Sequence, residues 1–474
     1  MKFQFQPVRA AVAFAMVLAG AGCIADVGSD ELDATDAAAQ TAMAQLLAKA
    51  KTEAFVDLPQ KPSDALLAAT EDAAKRGVRV YAWLKAGDYD TTLMRDFRMG
   101  LADVDVDVVT GDPLAGNYLV SDGTALVLEQ GKVAKHTDAA TVQKLRGRFL
   151  ELFQPPAPAH KNQGLIGSGQ LALLPMPESG PQRILDVFAA AKSSIDLEIY
   201  WLQDRSVIQA LKDADKRGVN VRVMLEPKVV GGGNFKNLSV ELDKSGIAVS
   251  ATPPEFDSHN NVDHAKFAIV DGKELLVGSG NLMRAGIGSN TDDRFDYRDF
   301  WVEDGRPKSV AEAQAIFDAD WQRKSTSGTD LANLVATPDN AADEVSALID
   351  SAKKRLYVYN QSITSSDVIA RLVAAKKRGV DVRVLLGYQP IPHAPPPNQD
   401  ALDQLRKAGA TAAFLKRHYL HGKAIVADDK VFIGSQNFTG GGLGKNRELG
   451  LIVADSKVVA TVVATFQADS AHPE

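Results

Sequence analysis

Cysteine is nearly absent. Cys23 is the only one in 474 residues, so no intrachain disulfide can staple this chain. Histidine is also scarce, with eight copies, and no zinc-finger spacing joins them to cysteine. Cationic excess is missing too. Lys and Arg number 53 against 60 Asp and Glu, a formal net charge of −7. That balance argues against the broad basic surface of a tight nucleic-acid binder, while leaving room for a local cationic cleft. Beyond the leading segment, no apolar run approaches the ~20 residues that cross a bilayer. Glycine and proline are near ordinary usage, which sets aside fibrous and low-complexity classes. What remains is 45% hydrophobic, enough in a chain of this length for two or three globular domains.

The leading segment is the exception. Lys2 and Arg9 precede the stretch AAVAFAMVLAGA, which runs up to Cys23. We expect an export signal over residues 1–23. The box GAGC is similar to a bacterial lipoprotein cleavage site, with Gly20 where Leu is usual. Lipidation of Cys23 is therefore expected, with ordinary cleavage after Ala19-Gly20-Ala21 as the alternative. The expected location is periplasmic or outer-membrane-anchored, or else secreted.

One chemical signature occurs twice. From His264 the chain reads HAKFAIVDGKELLVGSGN, and from His421 it reads HGKAIVADDKVFIGSQN. Each copy has His, Lys two places on, Asp five beyond the Lys, then Gly-Ser-x-Asn. His-x-Lys on a strand places both side chains on one face. The apolar segment after Lys continues the strand, DG or DD turns the chain, and the return strand ends in Gly-Ser-x-Asn. One hairpin thus gathers imidazole, ammonium, hydroxyl and amide, a set suited to a tetrahedral anion. The second copy is one residue shorter between Asp428 and Gly434, which puts the register of Ser435 and Asn437 in question.

This paired HxKxxxxD…GSxN pattern resembles the phospholipase D superfamily over roughly residues 165–465. The resemblance implies that the two motifs meet across a pseudo-twofold interface and build one site. In-line displacement at phosphorus needs groups on opposite sides, which agrees with that arrangement. One histidine would form a covalent phosphohistidine, and the other would protonate the leaving alcohol and then activate water. By analogy His264 is the nucleophile and His421 the acid. Lys266 and Lys423 would neutralise the phosphoryl oxygens, and Ser279, Asn281, Ser435 and Asn437 would hydrogen-bond them. No metal or cofactor is implied. Asp299 in YRDFWV and Glu448 in NRELGLIV would orient the two histidines, or else form salt bridges with Arg298 and Arg447. Asp271 and Asp428 lie at the far end of their strands and are expected to serve the turn.

An internal repeat sets the organisation. Residues 66–84, 208–225 and 369–386 each read as an amphipathic helix, a Lys-Arg-Gly stop and an apolar strand. Gly77, Gly218 and Gly379 are natural helix C-caps. Aligned on Asp122 and Gly123, the first copy has Ala115 in the His slot and Asn117 in the Lys slot, so it keeps the pattern and lacks the chemistry. An unrelated α/β segment is the alternative. The expected fold class is α/β, with repeated phospholipase D-like sandwich domains: two active copies in a pseudo-twofold pair and one degenerate N-terminal copy. Expected boundaries are 1–23 signal, 24–153 tether and degenerate domain, 154–164 linker, 165–330 first active domain and 331–474 second. Within these, residues 24–60 read as a tether plus a helix, and 325–340 as a connecting segment.

Other features have plainer readings. His259 and His418 precede the motifs and read as exposed loop residues. Tyr200 and Trp201 read as strand-end core. Phe235, Tyr388 and the loops after Leu225 and Leu386 are candidates to meet an acyl chain or a base. The resemblance, the leader and the acidic balance favour hydrolysis or transphosphatidylation of phospholipid at a membrane surface by a monomer. An extracytoplasmic metal-independent nuclease is the alternative, and a non-catalytic binding protein the second. Integral cardiolipin synthases of the superfamily usually carry N-terminal membrane helices, which are not evident here.

Overall fold

The computed structural model describes residues 37–58, 63–85, 107–111, 118–129, 132–151, 170–229, 235–257, 261–288, 297–326, 330–388, 395–415 and 418–471. The export leader, Cys23, Ala115, Asn117 and the 154–164 linker lie outside them. Among the described residues there are three mixed sheets, and they share one strand plan. In the first, Glu53–Leu58, Arg79–Lys85 and Asp107–Gly111 run parallel. On the other side of Glu53–Leu58, the antiparallel strands Tyr118–Ser121, Thr124–Glu129 and Lys132–His136 follow. The second sheet repeats this with Ser194–Ile199 at its centre, and the third with Arg355–Asn360.

The repeated helix–KRG–strand unit explains the parallel half. Gly77, Gly218 and Gly379 each take φ near +86° to +89°, where a side chain would be strained. The Arg before each glycine donates to the carbonyl end of the preceding helix or its edge: Arg76 to Leu47, Arg217 to Phe188 and Arg378 to Ile349. The helix then lies over the sheet and the next strand pairs in parallel.

The turn aspartates repeat in all three sheets. Asp271 accepts backbone N–H bonds from Lys192, Ser193 and Ser194. Asp428 does the same for Lys353, Lys354 and Arg355, and Asp122 for Lys51, Thr52 and Glu53. All three sit at positive φ, 54°, 54° and 44°. They tie the hairpin turn to the start of the central strand, which is the turn role expected of Asp271 and Asp428. The shorter second hairpin is absorbed in its turn. Val270 pairs with Glu274 across three turn residues, and Ala427 pairs with Lys430 across two. Further up, Phe267 pairs with Val277 and Ala424 with Ile433, so the register of the motif ends is unchanged.

Two segment readings need correction. Glu53–Leu58 is the central strand of the first sheet, so the domain begins inside the segment read as a tether. Leu334–Thr337 is an edge strand paired with Glu448–Val453, inside the segment read as connecting. Leu334–Thr337 is a short apolar run whose partner lies more than 100 residues away, and Glu53–Leu58 joins Arg79–Lys85 to the remote Tyr118–Ser121, so local pattern alone does not reveal them.

The second and third sheets pack face to face. Their shared core includes Phe267, Phe300 and Phe317 from one half and Tyr357, Tyr359, Ile433 and Phe466 from the other. Separate outer cores lie between each sheet and its covering helices. Tyr419–Leu420 from the third domain pairs in parallel with Tyr297–Arg298 of the second, so the halves are joined through backbone as well as side chains.

Candidate active site

The histidines are placed by the seam between the halves. The His264 N–H donates to the Arg447 carbonyl at 2.8 Å, and the Arg447 N–H donates to Val262 at 3.0 Å. In the matching position, the His421 and Gly422 N–H groups donate to the Arg298 carbonyl at 3.2 and 2.7 Å. Each histidine is therefore held by backbone of the opposite half. The ring centroids come to 6.3 Å apart.

The next residue along completes the hold. Glu448 Oε2 lies 2.8 Å from His264 Nδ1, and Asp299 Oδ1 lies 3.1 Å from His421 Nδ1. Each carboxylate thus serves the histidine of the other half. Where the carboxyl is ionised, Nδ1 donates to it and a neutral ring keeps its lone pair on Nε2.

The salt-bridge alternative for these acids does not occur. Arg298 instead bonds Asp469, Glu178 and the Met176 carbonyl. Arg447 bonds Asp320, Asp339, Thr326 and the Thr337 carbonyl. Asp469 belongs to the second half and Asp320 to the first, so each Arg side chain clamps both halves.

The serines depart from expectation. Ser279 is fully buried, donates to Asp299 Oδ1 at 2.6 Å and accepts the Phe300 N–H at 2.9 Å. Ser435 is also fully buried, accepts the Leu449 N–H at 3.0 Å and bonds Glu448. A hydroxyl has one proton to donate. Ser279 spends it on the carboxylate, so these serines orient the acids rather than contact a phosphoryl oxygen. Asn281 and Asn437 remain at the site, and each has a buried side-chain oxygen without a hydrogen-bond partner.

Lys266 and Lys423 are both fully buried. Lys266 Nζ donates to the His264 carbonyl at 2.5 Å and lies 4.9 Å from the centroid of the Tyr200 ring. Lys423 donates to the His421 carbonyl and to Gln361 Oε1, the latter at 3.1 Å. Burial pushes Lys266 well below the ordinary lysine range and Lys423 down to about 8. Burial, with the ammonium groups next in order for His264, holds that imidazole well below its usual value. His421 is lowered to about 4 by burial, against the pull of Asp299. Glu448 is pushed up to about 8, again by burial, with Lys266 opposing. Cations and imidazoles crowded this way favour an anion between them.

Four further residues line this space: Tyr297, Tyr419 and Gln361 escaped the sequence reading, and Tyr200 was read there as core. Tyr200 packs edge-on to His264 at 4.7 Å between centroids, so it is a site residue rather than plain core. Tyr297 lies 5.8 Å from the His421 ring and 4.8 Å from Tyr419. Gln361 links Lys423, Tyr419 and Asn437. Tyr200 and Gln361 hold matching places, each just past the centre strand of its sheet, and that strand-end position was their available signal. His418 is buried at 2% exposure, not an exposed loop residue. Tyr388 packs edge-on to Phe414, and Phe235 packs against the second domain's outer core. His259 lies outside the described residues.

Comparison with known proteins agrees with this geometry. The family model described as a cardiolipin synthase, PLD-like domain matches residues 184–321 and 345–470. Cardiolipin synthase 2 of Bacillus anthracis is 27% identical over 328 residues, covering 61% of this chain and 62% of the relative. A cardiolipin synthase of Halalkalibacterium halodurans is 25% identical over 375 residues, 70% of this chain and 72% of the relative. The chain thus spans about 62% of the length of the Bacillus relatives it matches. Among solved structures, phosphatidylserine synthase of Haemophilus influenzae aligns with a TM-score of 0.51 at 11% identity, over 70% of this chain and 91% of that one. A polyphosphate kinase from Porphyromonas gingivalis aligns with the same score at 19% identity, over 64% of this chain and 47% of that one. These two likenesses concern the fold.

Proposed function

The chain belongs to the cardiolipin-synthase PLD-like domain family, within the phospholipase D superfamily, and from that premise we propose that it exchanges the alcohol on a phospholipid phosphodiester. The single observation that supports this most is the pair of histidine rings 6.3 Å apart, each buttressed by a carboxylate from the other half.

In the first step His264 Nε2 attacks phosphorus. An N–P bond forms, the P–O bond to the headgroup breaks, and His421 gives its Nε2 proton to the departing oxygen. In the second step an incoming alcohol or water attacks the phosphohistidine. Its proton passes to His421, the N–P bond breaks, and the electron pair returns to His264. Lys266 and Lys423 balance the phosphoryl charge, and Asp299 and Glu448 hold the ring tautomers. Burial depresses His421 first and the two ammonium groups add to it; a substrate anion offsets the ammonium part, so binding favours the protonated acid. One chain supplies both histidines, so a monomer suffices.

The export leader ending at Cys23 would place this site at an extracytoplasmic membrane surface. Palmitate labelling that survives Cys23→Ser would remove the lipid anchor from the reading.

The test is turnover of mixed phosphatidylglycerol and phosphatidylethanolamine vesicles in excess EDTA, with plasmid DNA in parallel. Wild type is compared with His264→Asn and His421→Asn. We expect released headgroup or exchanged lipid, reduced by about 10³-fold or more in both variants. DNA cleavage without lipid turnover would transfer the reading to a nuclease. Folded protein inert on both would point to a binding role.

A further inference from the structure

The two sides of the site are not equivalent. Tyr200 occupies on the His264 side the place that Gln361 occupies on the His421 side: their neighbours Ile199 and Asn360 hold matching registers in the two sheets. An aromatic ring therefore faces Lys266, whereas an amide faces Lys423.

That amide fixes another. An ammonium only donates, so Lys423 Nζ at 3.1 Å dictates that Gln361 turns its oxygen inward. Gln361 Nε2 then donates to the Tyr419 hydroxyl at 3.0 Å. The inward Gln361 oxygen also takes Asn437 Nδ2, at a long 3.4 Å. The Asn437 amide is thereby oriented, and its oxygen is the buried one without a partner. A carbonyl oxygen repels an anionic phosphoryl oxygen and accepts from a hydroxyl. Asn437 was expected from its motif to donate to phosphate, and the relay turns it into an acceptor.

We propose that Gln361 is a specificity-determining positioning residue: through Lys423 and Asn437 it builds, on the His421 side, an acceptor for a second hydroxyl of the reacting alcohol. This deepens the alcohol-exchange reading and rests on it. The chemistry follows from counting protons. A simple alcohol has one O–H, which His421 must take in the second step. A polyol has another, which the Asn437 oxygen accepts while the first reacts. The subsite therefore favours vicinal polyols over mono-alcohols of similar size. Tyr297 and Tyr419 lie beside it, their rings tilted 49° to each other with centroids 4.8 Å apart, and supply an aromatic wall for the polyol carbons.

The experiment offers glycerol and propan-1-ol together to the full-length protein acting on phosphatidylethanolamine vesicles, and reads the ratio of the two exchanged lipids. A ratio cancels any general loss of activity. For Gln361→Met, which frees the Asn437 amide to turn, the glycerol-to-propanol ratio should fall about 10-fold. Asn437→Ala should give the same fall. Gln361→Glu keeps an acceptor toward both Lys423 and Asn437, and should hold the ratio within about 3-fold of wild type. If Gln361→Met does not fold, the Asn437→Ala and Gln361→Glu pair decides alone. An unchanged ratio in Asn437→Ala, or an equal fall in Gln361→Glu, overturns the proposal. Wild-type protein that exchanges neither alcohol fails the alcohol-exchange reading itself, a separate result.

Discussion

The Arg447 seam and the Arg298 seam perform one task with different chemistry. In both, an arginine clamps the halves, its carbonyl holds a histidine N–H, and the next residue's carboxylate holds that histidine's ring. Around Arg447 lie Glu198, Asp263 and Glu226, at the places that Tyr359, Leu420 and Gly387 take around Arg298. No side chain fits at Gly387, because a Cβ there would come to 2.5 Å from the Gln361 carbonyl. The Arg298 side is near balance: two carboxylates, Glu178 and Asp469, and a Tyr359 hydroxyl donating to the latter at 2.6 Å. The Arg447 side has more buried acid than one guanidinium can balance. Glu198 faces Asp263, and burial, then Asp263, raises its carboxyl well above the ordinary range. The lesson is that pseudo-symmetry of the backbone does not carry over to protonation. One side of the site is held by a matched ion network, the other by carboxyls that keep protons.

The largest expected effect separates the two histidines. On a phosphodiester with a nitrophenol leaving group, which departs without a proton, Asp299→Asn and His421→Asn should keep the first step within about 10-fold of wild type. Glu448→Gln and His264→Asn should still lose about 10²–10⁴-fold. The burst of nitrophenol in rapid mixing reads that step. The reverse pattern would exchange the roles of nucleophile and acid.

Next comes the clamp itself. Arg298→Met strands two buried carboxylates, and urea unfolding should register a loss of about 3–5 kcal/mol. Arg447→Met should cost less near pH 6 than at pH 8, because its neighbours can remain protonated at the lower pH. Equal costs at both values would contradict the contrast between the seams.

A third prediction concerns pH alone. Asp263 and Asp320 are pushed up to about 7 and Glu226 to about 6, burial coming first in each case. Groups raised in the folded state stabilise fully at pH below their unfolded values, and that stability is lost as pH rises through about 6–7. Glu178 runs the other way. Despite burial, Arg298 holds it down to about 2, so its contribution is present above the ordinary carboxylate range and is lost toward pH 2. Stability should therefore decline by about 1–3 kcal/mol between pH 5 and 8. The double variant Glu198→Gln, Asp263→Asn should flatten that decline. A thermal-melt series across pH would show whether the slope survives.

The smallest effect belongs to the hairpins. Inserting glycine after Asp428 gives the second turn the length of the first. Stability should move by less than about 1 kcal/mol, since the loop cost of one residue is slight. A drop in activity of 10-fold or more would mean that the shorter turn does set the position of Asn437.

Much of this was legible from residues. The two His-x-Lys hairpins, the KRG helix stops and the turn aspartates are local devices with fixed spacing, and they appear where the spacing put them. The Ser279 and Ser435 roles were not legible, because a hydroxyl near a phosphate motif looks the same whether it faces substrate or a neighbouring carboxylate. Gln361 and Tyr200 lacked any motif and became visible only beside the lysines. The strand Leu334–Thr337 was hidden because its partner is remote in sequence, and Glu53–Leu58 because it is a short run inside an Ala-rich, polar segment.

By itself the sequence determined the α/β repeat, the duplicated set of reactive groups and the hairpin turns, since each is written as a local pattern of fixed spacing. Only the tertiary structure decided which carboxylate serves which histidine, which way Asn437 turns, and where the protons reside at the Arg447 seam. Those outcomes depend on groups remote in sequence, from 62 residues apart for Gln361 and Lys423 to 184 for His264 and Glu448, meeting in a buried space, where desolvation and the supply of donors, rather than local pattern, set the lowest free energy.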